Sequence, residues 1–261
     1  MTEHSCEEVL VRYGSDNRCA IQVDPQRVVV QQTAPTPLDD IDGVIRDALT
    51  NPLGFPPLQQ AVVPGDTVVV ALDVNTPADD EIIAALWDVF ASRDVLPADV
   101  LILQPAGTGE IPPADPRRGL PAEIAAEMAW QVHSPDDDSS QKYLATSASG
   151  ERIYLAREVI EADFVLTVGP VAFDTVLGYR GTCSVLYPGL SSIEAVSRSQ
   201  GQGHDELEPS DERPLRQLID EIGWLLGIQF CVQVVPSGGT GAADVLAGCP
   251  DAVFRAARER L

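Results

Sequence analysis

Five runs of β-branched and apolar residues stand out along the chain: RVVVQQ (27–32), DTVVVALD (66–73), DVLILQPAG (99–107), DFVLTVGPV (163–171) and QFCVQVVPSG (229–238). Runs this continuous, rather than alternating, predict strands of a sheet covered on both faces. Between them the apolar positions recur at helical spacing. DDEIIAALWDVFASRD (79–94) sets Ile82, Ile83, Leu86, Val89 and Phe90 on one side, and PLRQLIDEIGWLLGI (214–228) does the same with Leu215, Leu218, Ile222, Leu225 and Leu226. PDAVFRAARERL (250–261) opens on a Pro-Asp pair suited to a helix start. EEVLVRYG and RCAIQVD, flanking SDN, predict an early hairpin, and SPDDDSSQ (134–141) an exposed acidic loop.

Alternating strands and helices predict the α/β class, a mainly parallel sheet flanked by helices, with residues 1–261 as one domain. In such sheets ligands bind beyond the carboxyl ends of the strands. That rule selects DVNTP after residue 72, PAGTGEIPP from 105 and GPVAFDTVLGYRG from 169.

Composition narrows the picture. Acidic residues outnumber basic ones 40 to 17, a net charge of −23, so the chain repels phosphate backbones and anionic lipid; nucleic acid and membrane surfaces are not expected partners. The N-terminus MTEHSCEEVL lacks a basic-then-apolar leader pattern, and no apolar run approaches a bilayer span. Five scattered cysteines without a CxxC pair fit reduced thiols. The expected location is the cytoplasm.

Within the selected loops, Gly107, Thr108 and Gly109 offer backbone N–H groups to an anion or form a plain turn. Tyr179, Arg180 and Gly181 combine a glycine turn with a cation that pairs either with a ligand carboxylate or phosphate, or with one of the chain's many acids. Of the histidines, His4 falls in the terminus. His133 reads as structural at a strand end, and His204 as an exposed loop residue or a replacement ligand four residues past Gln200.

These landmarks, in order, carry a resemblance. NPLGFPPLQQAVVPGDTVVVALDVNTP (51–77), LILQPAGTGEIPP (101–113), the DSS and EAD elements within 132–169, GYRG followed by LYPGLSSIEAV, and QFCVQVVPSGGTGAADVLAGCP together resemble the N-terminal domain of the lactate racemase family, the nickel-pincer-nucleotide enzymes. The resemblance implies that fold. It also implies a chemistry in which 2-hydroxy acids are racemised or epimerised by hydride transfer to a nickel-bearing, pyridinium-derived cofactor. Two histidines exchange protons on either face of the substrate, a lysine tethers the cofactor, and a further histidine ligates nickel.

By the same resemblance, this sequence departs from the pattern at each of those points. The first catalytic histidine falls on Gly109, the second on Asp174, the tethering lysine on Ser184 and its neighbouring arginine on Cys183. The nickel histidine falls on Gln200 and the carboxylate-binding arginine on Thr76, while Asp73 is kept. A hydroxyl does not replace the amine tether and a carboxamide is a poor nickel ligand; Asp174 is the candidate catalytic base, weak at pH 7 with an ordinary pKa and stronger if a buried site raises it. No cofactor is therefore expected on this chain, and the family's C-terminal domain is expected to be absent. Two readings stay open. One is a non-racemising relative binding a small acid, a nucleotide-like ligand or a partner protein. The other is a racemase or epimerase working through altered residues, or completed by a separate C-terminal-domain chain or a homo-oligomer.

Overall fold

A computed structural model describes residues 7–13, 17–30, 32–107, 113–200, 207–208, 210–238 and 240–261. Its centre is a six-stranded sheet in the order β12 (Ala242–Gly248), β11 (Phe230–Pro236), β8 (Phe164–Pro170), β3 (Val68–Leu72), β4 (Val100–Gln104), β5 (Ala129–Val132). All neighbours are parallel except β12, which runs antiparallel to β11. Two-stranded ribbons stand apart from it: β1 (Glu7–Tyr13) with β2 (Asn17–Val23), β6 (Gln141–Thr146) with β7 (Arg152–Ala156), and β9 (Ala172–Asp174) with β10 (Gly178–Arg180).

All five residues of β3 are buried, as its unbroken apolar run predicts for a central parallel strand. The two faces of the sheet divide by residue parity. Val68, Val70, Leu72, Ile102, Leu166, Val168 and Val232 pack under α1 (Ile41–Thr50) and α2 (Asp79–Ala91), which contribute Ile45, Leu49, Ile83, Leu86 and Phe90. Val69, Ala71 and Leu103 turn the other way. They meet Leu155, Val159 of α4 (Arg157–Glu161), Leu186, Ala195 of α5 (Ile193–Ser199), and Ile219 and Ile222 of α6 (Pro214–Leu225). On that same side Val253 and Ala257 of α7 (Pro250–Arg258) cover Cys231, Val235 and Leu246. Each large side chain buried this way contributes about 1.5–3 kcal/mol of transfer free energy, which conformational entropy largely offsets.

The central strands, the three long helices and the early hairpin lie where the apolar pattern places them. The run at 27–32 does not form a strand. Pro25–Arg27 is a 3-10 turn capped by the Asp24 carboxylate, and Val29 and Val30 beyond it are 95% and 75% exposed. β-branched residues favour extended backbone, but among the described residues no strand pairs with Val28, Val29 or Val30. On α6 the inward position belongs to Ile219, fully buried, and Leu225 is 38% exposed. The acidic loop is as expected: Asp137 caps a 3-10 turn over Asp138–Ser140, and Asp136, Asp137 and Asp138 are all exposed. Among the described residues no helix is long and apolar enough to cross a membrane.

Candidate functional site

Because β8, β3 and β4 are adjacent and parallel, the segments after residues 72, 104 and 170 leave the sheet along one edge. Asp73 immediately follows β3; its N–H donates to the Val168 carbonyl at 2.8 Å, which seats it beside Gly169, and its side chain is 95% buried. The Thr76 hydroxyl, also buried, donates to the Asp73 carbonyl at 2.6 Å and closes the DVNTP turn. Burial pushes the Asp73 carboxyl above its ordinary range, against the opposing pull of the Arg180 charge.

Arg180 reaches Asp73 from 107 residues away, Nη2 to Oδ2 at 2.7 Å, with 36% of its side chain exposed. The chain after β8 makes this possible by turning back through the β9–β10 hairpin, which pairs Arg180 with Ala172 and Gly178 with Asp174. Of the two partners the sequence left open for Arg180, the structure thus provides an acid of its own chain. Gly181 follows with φ +139°, and its N–H donates to the Ser184 hydroxyl at 2.9 Å. A Cβ at this glycine would overlap Gln233 Nε2, so the close approach admits no side chain.

Asp174 is not directed at this pair. Its Oδ1 accepts from the N–H groups of Val176 at 2.8 Å and Leu177 at 2.9 Å, capping the β9–β10 turn. Tyr179 stacks edge-on with Phe173 at 6.4 Å and lies under the Arg258 guanidinium at 5.0 Å. Ser184 is buried, and Gln200 is exposed at the end of α5. Gly107 follows β4 with open space around it, whereas Thr108, Gly109, His4 and His204 lie outside the described residues. His133 is structural: its Nε2 lies 2.9 Å from the Ser191 carbonyl, which can only accept, so Nε2 carries the proton. Cys183 is buried, and desolvation pushes its thiol up to about 12, leaving it inert at neutral pH.

The structure therefore joins Asp73, Thr76, Arg180, Gly181 and Ser184 in one region and leaves Asp174 and Gln200 outside that bonded set. Sequence reasoning missed Gln233, fully buried on β11 opposite Gly169. The available signal was a single carboxamide inside the apolar strand FCVQVVP.

A doubly covered, mainly parallel sheet flanked by helices defines the α/β class. The comparisons with known proteins are more specific. The model of the lactate racemase N-terminal domain matches residues 13–205, and the chain belongs to that family. Among solved structures it is similar to the lactate racemase apoprotein from Thermoanaerobacterium thermosaccharolyticum, with a TM-score of 0.74 at 16% identity, covering 97% of this chain and 62% of that one. It is also similar to a Thermotoga maritima protein, with a TM-score of 0.67 at 14% identity, covering 87% of this chain and 59% of the other. The chain thus spans less than two thirds of either structure, and identities this low speak for the fold. No curated protein matches it in sequence.

Proposed function

We propose that this chain is a non-racemising member of the lactate racemase N-terminal domain family that binds a small acid or a phosphate-bearing, nucleotide-like ligand at Arg180. The observation that carries the reading is the Asp73–Arg180 pair at the carboxyl edge of the sheet. It presents one partly exposed guanidinium backed by a buried acid, in a chain whose net charge otherwise repels anions. An incoming carboxylate or phosphate has bidentate geometry to offer the guanidinium.

The residues present do not fit a tethered nickel cofactor. Ser184, at the position of the tethering lysine, is neutral, buried and already engaged by the Gly181 N–H. Gln200, at the position of the nickel histidine, is an exposed carboxamide. Among the described residues no three His, Cys, Asp or Glu side chains group as a metal site. A second reading, favoured by the fold shared with the racemase apoprotein, is a racemase or epimerase that works through altered residues or together with a second chain.

Metal analysis and intact mass test both. The purified protein is expected to contain no stoichiometric nickel and to weigh the unmodified 27.9 kDa. One nickel per chain, or an added nucleotide mass, overturns the proposal. In a thermal-shift comparison with acetate, lactate, inorganic phosphate and AMP, at least one ligand is expected to raise the wild-type midpoint. Arg180→Ala is expected to lose that rise; an undiminished rise removes Arg180 from the site.

A further inference from the structure

The turn carrying Arg180 is held in a conformation that leaves hydrogen-bonding capacity unused. Three residues of the segment 178–184 have positive φ: Gly178 at +74°, Gly181 at +139° and Thr182 at +49°. The last is β-branched, for which the left-handed region is an outlier. Arg216 of α6 clamps the turn from outside, donating from Nη1 to the Gly181 carbonyl at 3.2 Å and from Nη2 to the Thr182 hydroxyl at 3.0 Å. Beneath it, Gln233 Oε1 and Nε2, Thr167 Oγ1 and Arg180 Nε are all buried without a hydrogen-bond partner among the described residues.

These four atoms belong to one neighbourhood. Gln233 pairs in register with Gly169, beside which Asp73 sits; Thr167 lies two residues earlier on the same face; and Gly181 rests directly on the Gln233 carboxamide. Gln104, the other buried carboxamide of the sheet, differs: its Oε1 accepts from Trp130 Nε1 at 2.8 Å. Among the described residues Arg213 Nε and Ser237 Oγ are also buried without a partner, but only here do four such atoms gather, and buried polar groups left unpaired disfavour the conformation that buries them.

We propose that residues 178–184 form a two-state latch over the anion site, closed by the Asp73–Arg180 pair and opened when a small carboxylate or phosphate takes the Arg180 guanidinium. The latch rests on the anion-site reading above. Closed, it holds the strained Thr182 and the unpaired Gln233; open, both are relieved, which offsets the loss of the Asp73–Arg180 pair and brings the two states close in free energy. A ligand that supplies Arg180 with a new partner then shifts the population. Gln233 is a positioning residue in this scheme, acting on the ligand only through the turn.

Hydrogen exchange resolved to residues 178–184 tests the latch without any ligand. Gln233→Leu removes the unpaired carboxamide at similar volume, stabilises the closed state, and is expected to slow exchange in this segment about tenfold relative to wild type. The same variant is expected to bind whichever of acetate, lactate or inorganic phosphate shifts the wild type about tenfold more weakly. Thr182→Asn, which tolerates the left-handed region and keeps a side-chain oxygen for Arg216 to bond, is a second variant expected to slow exchange. Unchanged or faster exchange in both variants overturns the latch, as it would if an internal water already satisfied Gln233. Slower exchange in a protein that binds none of the three anions overturns the anion site instead and leaves the two-state turn standing.

Discussion

Replacing Gly248 with alanine is expected to cost about 3–4 kcal/mol, the sum of overpacking and of backbone strain at a left-handed position. Gly248 ends β12 with φ +134°, where it forms a parallel bridge with Leu53. An added Cβ would meet the backbone of Leu53, with its nitrogen at 2.5 Å and its carbonyl carbon at 2.9 Å. No side-chain rotation relieves a clash with main chain. The segment at Leu53 would have to withdraw, losing the Leu53 N–H to Ala247 carbonyl bond and the Cys249 N–H to Leu53 carbonyl bond, both 2.8 Å. Pro250, the first residue of α7, follows two positions later, so the disturbance reaches the helix that covers β11. A fall of roughly 10 °C in the thermal midpoint is the corresponding reading for a chain of this size. A loss under about 1 kcal/mol would show that the Leu53 segment yields easily.

Arg180→Ala is expected to cost about 2 kcal/mol at pH 7, less than a fully buried pair because the guanidinium is one-third exposed. The loss comes from Asp73, which keeps its burial and loses its counter-charge. Its carboxyl already stands above the ordinary range because of desolvation, and Arg180 is the main influence holding it down. Without Arg180 it rises further. A carboxyl that binds protons more tightly folded than unfolded lowers stability as pH rises through the window between its two pKa values. Acidification toward that window therefore neutralises Asp73 and returns stability to the variant. The difference in urea midpoint between wild type and Arg180→Ala should shrink as pH falls from 7 toward the ordinary carboxylate range. A constant difference would mean that Asp73 stays ionised in the variant.

The parts of the fold legible in the sequence are those where local pattern and burial agree. β3, β4, β8 and β11 are apolar on both faces because helices cover both, and their runs could be read directly. β12 was not legible: its AADVLAG core mixes small residues with Asp244, whose carboxylate meets Arg260 at the surface. α1 was also missed, since Gly43 weakens its helical pattern, and only the Asp40 carboxylate bonded to the Gly43 N–H at 2.9 Å marks its start. Val28, Val29 and Val30 misled in the other direction, having strand propensity without a strand to join. At the site, Arg180 and Asp73 were each visible as charged residues in the right loops. Their contact spans 107 positions and depends on a hairpin no local pattern announces.

The chain that precedes the sheet has a protective consequence. An outermost strand normally offers its free amides and carbonyls to any extended peptide. Here the Leu38 N–H binds the Ala242 carbonyl at one end of β12, and Leu53 bonds across Ala247 and Cys249 at the other. The protein uses its own connecting segments as selvedge, so this margin of the sheet is guarded against fibrillar stacking with neighbours.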